Sequence, residues 1–253
     1  MTTTTLSVLV LPAAMAVAAG LIGPFAVMRR MTLAADALSH VALPGIGLAL
    51  LLQAAPLAGA LGALAVGAIL VWLLEKRTGM ATETIIGVVF SAALAAGALL
   101  TTSEELMDAL FGGPGRISTW EVVAGLAGAS IVVAFLLIAR HRLIVALVSP
   151  DIARTAGIDV ARLNLGFLLA FALTVGLGLR YLGVLLMGSL IIIPAATARN
   201  LAHNLKQMLT ISVVIALVST LAGTWLAARF GRESGPVIVS VAAGIFFLVS
   251  AVT

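Results

Sequence analysis

There is no cysteine among the 253 residues, so disulfides and thiolate metal sites are excluded. Charge is scarce as well. Asp, Glu, Lys and Arg together make up 9% of the chain, against roughly 25% in a soluble domain. A water-soluble fold this poor in charge could not cover its surface, and the natural solvent for it is a bilayer. Aromatic residues reach only 5%. What abounds is small or aliphatic: 62% of the chain is hydrophobic, 25 residues are glycine, and Ala and Leu dominate. That is the composition of membrane helices packed closely through small residues. A net charge of +4 in such a chain reports topology, not nucleic-acid binding. No basic region precedes the first apolar run, which is therefore expected to be a retained span and not a cleaved signal. Neither G-x-x-x-x-G-K-[ST] nor G-x-G-x-x-G occurs. If the chain moves a solute uphill with ATP, another polypeptide must supply the ATPase.

Apolar stretches of about 20 residues bounded by charges or turn residues define the spans. They cover about 6–28, 33–53, 58–74, 84–100, 120–139, 163–179, 181–198, 208–228 and 236 to the C-terminus. Only Arg180 and nearby glycines separate the sixth from the seventh, so the count is eight or nine. With nine spans, one set of loops holds Arg29, Arg30, Lys76, Arg77, Arg140, Arg142, Arg154, Arg162, Arg199 and Lys206. The other holds Arg116, Arg180, Arg229 and Arg232. The richer set is expected to be cytoplasmic, with the N-terminus outside and the C-terminus inside. The acidic loop with Glu104, Glu105 and Asp108 then lies outside.

One stretch breaks the apolar pattern. In "DALSHVALPG", residues 36–45, Asp36 and His40 are the only ionisable side chains between Met31 and Leu74. Positions i and i+4 of a helix share a face. If the second span begins near Arg30, His40 sits about ten residues in, roughly 15 Å deep in a 30 Å hydrocarbon core. An ionisable group there costs at least about 2.5 kcal/mol, and such groups face a bundle interior or an aqueous path. An imidazole and a carboxylate one turn apart make half a site for a divalent first-row metal. A second copy of the helix across a two-fold axis would supply the other half, which predicts a dimer. Pro44 has no N–H and frees the His40 carbonyl, and Gly45 and Gly47 permit close helix approach. The competing reading is structural: Asp36 and His40 pair with each other or cap a buried turn, with Ser39 as a further partner.

Other polar residues have plainer roles. His203 reads as interfacial, His141 within "RHR" as a topology determinant, and Glu121 as a helix-start residue. Asn164 and Thr174 read as interhelical hydrogen-bond donors. The segment "SPDIARTAGI", residues 149–158, predicts a short helix at about 150–158. Ser149 is its N-cap, Pro150 its first residue, Asp151 lies in its first turn and Gly157 ends it. It is too short and polar to span, and suits either docking to a soluble partner or an ordinary loop helix.

Taken together, "MRRMTLAADALSHVALPGIGLAL", "SPDIARTAGI" and "VGLGLRYLGVLLMGSLIIIPAATARNL" resemble the permease subunit of the metal-ion ABC importers, the zinc, manganese and iron branch. The loop element "LFGG" and the tail "GRESGPVIVSVAAGIFFL" fit as well, so the resemblance runs in order along nearly the whole chain. It implies one all-α permease domain over residues 1–253, acting as a homodimer, with no ATPase activity of its own and no permanently bound cofactor. It implies a cytoplasmic ATP-binding subunit docked on the coupling helix through Pro150, Asp151, Ala153, Arg154, Ala156 and Gly157. It also implies an extracytoplasmic metal-binding protein on the outer loops, and location in the plasma or inner membrane of a prokaryote. In this family the Asp and His of the second span bind the ion on the translocation path, roles that fall on Asp36 and His40. Arg180 departs from the pattern and is placed at the outer interface. Transport is expected to fall as His40 protonates, because imidazole must be neutral to ligate. Alternative readings are a permease for iron-siderophore, haem or cobalamin, and a proton-coupled secondary transporter with Asp36 and His40 as relay.

Overall fold

A computed structural model describes residues 10–32, 34–100, 119–182 and 184–252, the side chains of 119 and 180–186 excepted. All regular structure among them is helical: α1 (Leu11–Met28), α2 (Ala34–Leu51), α3 (Pro56–Thr78), α4 (Thr82–Leu100), α5 (Thr119–Val148), α6 (Pro150–Thr155), α7 (Val160–Leu182), α8 (Val184–Leu201), α9 (Leu205–Phe230) and α10 (Ser234–Val252). Every long helix except α8 is long and apolar enough to cross a membrane by length and composition. The 18-residue α8 is the ninth long helix. The acidic loop with Glu104, Glu105 and Asp108, the "LFGG" element and Arg116 lie outside the described residues. Arg180 falls inside α7.

Local chemistry sets the ends. Proline opens α3 and α6, where a missing N–H costs nothing. After α1 the chain turns through Arg30 at φ 59°, with Met31 N–H bonded to Ala26 O at 2.9 Å and Arg30 N–H to Val27 O at 3.1 Å. This crossed pair satisfies the last carbonyls of α1. Gln53, at φ 53°, closes α2 in the same way. The helix α5 does not stop at Arg140 as the span boundary suggested. It continues for two more turns to Val148, because arginines mark a membrane surface without breaking a helix. At 30 residues it is about 45 Å long, more than a hydrocarbon core of about 30 Å needs, and α6 follows directly at its end.

At the centre of the bundle, α1 packs against α9, α8, α5 and α7, while α2 packs against α3, α4, α8 and α7. Leu11, Met15, Ile22 and Phe25 of α1 are fully buried. The peripheral helices α4 and α10 expose apolar side chains such as Leu99, Phe247 and Leu248, as lipid-facing helices do. Several crossings need glycine, and two bring backbone closest. A Cβ on Gly23 would lie 2.2 Å from Ile191 O on α8. A Cβ on Gly45 would lie 2.1 Å from Gly59 O on α3, and one on Gly59 equally close to Gly45 O. Several hydroxyls within the spans bond back to their own helix: Ser91 to Gly87 O, Thr197 to Ile193 O. Thr174 does the same with Ala170 O, so it is not the interhelical donor the sequence suggested.

Candidate metal site

Asp36 and His40 both lie on α2, one turn apart. The helix starts at Ala34, close to the expected span start and not near Arg30, because residues 29–32 belong to the turn out of α1. His40 is therefore six residues into the helix, about 9 Å along its axis, and not ten. Asp36 falls in the first turn, where a carboxylate meets the positive end of the helix.

The two side chains do not satisfy each other. Among the described residues, the Asp36 carboxylate has neither a hydrogen bond nor an ion pair and is exposed. Ser39 donates to the backbone carbonyl of Asp36 at 2.6 Å, not to its carboxylate. His40 is half-buried, and its Nδ1 is enclosed without a partner. Its ring packs against Phe90 of α4, centroids 5.5 Å apart and tilted 59°. Across from Asp36, α8 comes close at Gly188, where a Cβ would sit 3.4–3.7 Å from Asp36 backbone and Cβ atoms. The structural alternative, an internally paired Asp36 and His40, is not what the geometry holds. Among the described residues no cluster of three or more His, Asp or Glu forms here. Pro44 interrupts α2 one turn beyond His40, and Gly45 beside it makes the tight crossing with α3.

The short helix is present, with Ser149 Oγ accepting from Ile152 N–H at 3.3 Å and Gly157 in the left-handed conformation at φ 77°. It spans Pro150–Thr155, ending before the expected residue 158 because Gly157 and Ile158 bond back to Arg154 and Ala153 carbonyls. Asp151 and Arg154 form an exposed ion pair at 2.8 Å. Ala153 is fully buried and so seats α6 on its own chain, instead of facing a partner. Ile152, absent from the sequence-based contact set, is 62% exposed.

Beside α6 lies a cleft of about 730 Å³ lined in part by Arg29, Trp72, Lys76, Arg154, Asp159 and Asn164. At its edge Arg29 donates to Asn164 Oδ1, and Asn164 Nδ2 donates to Glu75 Oε2 at 2.7 Å. Arg29 also lies 4.4 Å over the Phe167 ring. Burial pushes its guanidinium down to about 10, with the Glu75 charge working in the opposite direction, so it remains cationic at neutral pH. Asn164 thus has the interhelical role that the sequence assigned, joining the ends of α1 and α3 to the start of α7. His141 and His203 are exposed, His141 beside Arg140 at 3.2 Å and His203 in the turn before α9. Sequence reasoning missed Phe90, Gly188 and Ile152: one phenylalanine, one glycine and one isoleucine carry no signal in an apolar chain.

Comparisons with known proteins agree with this architecture. The chain is 31% identical over 233 residues to the high-affinity zinc uptake system membrane protein ZnuB of Haemophilus influenzae, covering 90% of this chain and 89% of that one. It is 28% identical over 236 residues to the manganese transport system membrane protein MntC of Listeria monocytogenes, covering 92% and 84%. In three dimensions it superposes on PsaBC from Streptococcus pneumoniae, solved in complex with Fab. The TM-score is 0.82 at 25% identity, over 96% of this chain and 89% of the other. All of residues 1–253 match one transport family, in whose ABC systems a separate subunit hydrolyses ATP, and the chain belongs to that family, the ABC 3 transport family.

Proposed function

We propose that residues 1–253 form one permease domain, the membrane-spanning subunit of an ATP-driven importer that carries a divalent transition-metal ion into the cytoplasm. Asp36 and His40 are its ligands. The observation that carries this reading is the state of those two side chains. In a helix otherwise without ionisable groups, the carboxylate and the imidazole share a face, and among the described residues neither the Asp36 carboxylate nor His40 Nδ1 has a hydrogen-bond partner. Asp plus His suits zinc and also accepts manganese and iron, and relatives named for zinc and for manganese transport lean the same way.

Two donors are too few for a four-coordinate ion, so a second copy of the chain completes the shell across a two-fold axis. The cytoplasmic ATP-binding subunit docks on α6, and an extracytoplasmic metal-binding protein delivers the ion. Arginine and lysine placement puts the N-terminus outside and the C-terminus in the cytoplasm of a prokaryotic plasma or inner membrane. Alternating access follows: the ion meets two Asp36–His40 pairs, and the ATPase cycle switches the open side.

Element-resolved uptake tests this. The chain is expressed with its ATPase and binding protein in cells lacking their own metal importers, and zinc, manganese and iron accumulation are compared for wild type, Asp36→Ala and His40→Ala. The expected result is accumulation of one metal, lost in both variants at equal membrane abundance. Undiminished uptake in both variants would reject the site.

A further inference from the structure

We propose that Phe90 makes His40 a weak ligand by holding its imidazole with Nε2 open to the ion and Nδ1 cut off from any hydrogen-bond acceptor. The inference rests on Asp36 and His40 being the metal ligands. A neutral imidazole carries one N–H, so when one nitrogen binds a metal the other holds the proton. In metal sites that N–H almost always donates to a carboxylate, carbonyl or water, which raises the basicity of the ligating nitrogen. Losing such a partner lowers affinity by about 10- to 100-fold.

His40 lacks that partner. Its Nδ1 is enclosed and unbonded, whereas Nε2 is not among the enclosed unpartnered atoms of this half-buried residue. Nε2 is therefore the nitrogen with access. The Phe90 ring, 5.5 Å away, is the aromatic neighbour that pins the imidazole, and it offers no acceptor. Ser39, the nearest hydroxyl in sequence, is committed to the Asp36 carbonyl. An importer gains from this arrangement, because an ion must be bound firmly enough to enter and loosely enough to leave. Phe90 is thus a positioning residue that sets affinity through His40.

The test uses the permease with its ATPase subunit in lipid nanodiscs, titrated with zinc and with manganese, alongside uptake rates in cells. Phe90→Gln gives Nδ1–H an amide oxygen, and Phe90→Ser admits water. Phe90→Leu supplies no acceptor. The metal is expected to bind at least about 10-fold tighter to Phe90→Gln, in the same direction but less to Phe90→Ser, and within about three-fold of wild type to Phe90→Leu. Maximal uptake falls in the order of tightening, because release slows. If Gln and Ser bind no tighter than Leu, the proposal is overturned; a purely structural Phe90 gives weaker binding or lower abundance in all three. Should Phe90→Gln fail to reach the membrane, Phe90→Ser carries the comparison. His40→Ala separates the two levels. If it binds metal as wild type does, the Asp36–His40 site itself is wrong. If it loses binding while the Phe90 series stays flat, only the role of Phe90 fails.

Discussion

Gly45→Ala adds one methyl group one residue beyond Pro44, where α2 crosses α3. That methyl would lie 2.1 Å from Gly59 O and 2.5 Å from Ala63 Cβ, while real Cβ atoms essentially never come within 3.0 Å of a neighbour. The shortfall is about 0.9 Å against a backbone oxygen, which cannot swing aside as a side chain can. Overpacking of this kind costs about 1–3 kcal/mol, and a clash on two rigid atoms belongs at the upper end. Alanine recovers about 1 kcal/mol of helix propensity, leaving a net loss of about 2 kcal/mol. Gly62→Ala on α3 makes the same chemical change into open space and keeps only the propensity gain. The two variants therefore differ by about 3 kcal/mol. At about 2–4 °C per kcal/mol for a chain of this size, Gly45→Ala should melt roughly 4–8 °C below wild type in detergent. Gly62→Ala should match or exceed wild type. Because α2 carries Asp36 and His40, metal uptake by Gly45→Ala should also fall at equal abundance. Equal melting of the two variants would refute the crossing as described.

Asn164→Leu removes the amide that bridges Arg29 and Glu75, leaving two half-buried charges short of a partner. It should lower stability by about 1–3 kcal/mol, whereas Thr174→Ala, which loses only a bond to its own helix, should cost under about 1 kcal/mol; thermal melts of both variants in detergent decide it. Ile152→Asp should leave the permease folded, since the side chain is exposed, yet weaken copurification of the ATPase. Burying an isoleucine is worth about 1.5–3 kcal/mol, which corresponds to about 10- to 100-fold in affinity. Unchanged copurification would remove Ile152 from the docking surface.

The spans were legible because a bilayer forces about 20 apolar residues between charged ends, a constraint that needs no tertiary knowledge. The short helix α6 was legible for a local reason: serine, proline, aspartate and glycine each act within one turn. What failed to show were facts set by distant contacts or by backbone that carries no propensity signal. Arg30 adopts a left-handed conformation that favours glycine, so nothing in "MRRMT" announced a turn there, and His40 was counted too far into its helix. Arg29 and Arg30 look alike in sequence. One is buried against Asn164, 135 positions away, and the other is exposed. The end of α5 was missed because charge marks where the membrane stops, not where a helix does.

The contrast between Arg29 and the Asp36–His40 pair is what separates structure from function in this chain. Arg29, half-buried, is held by an amide, an aromatic face and the field of Glu75. A buried polar group left unsatisfied costs about 1–3 kcal/mol, so a fold optimised only for stability would give the enclosed Nδ1 of His40 a partner as well. The hydroxyls of Ser212, Ser219 and Thr220 are also buried without partners, but they are neutral. Asp36 and His40 are ionisable, lie one turn apart on one helix, and have no hydrogen-bond partner among the described residues for the Asp36 carboxylate or His40 Nδ1. The Ser39 hydroxyl turns to the backbone. The proposed metal-binding role needs both side chains unspent until the ion arrives.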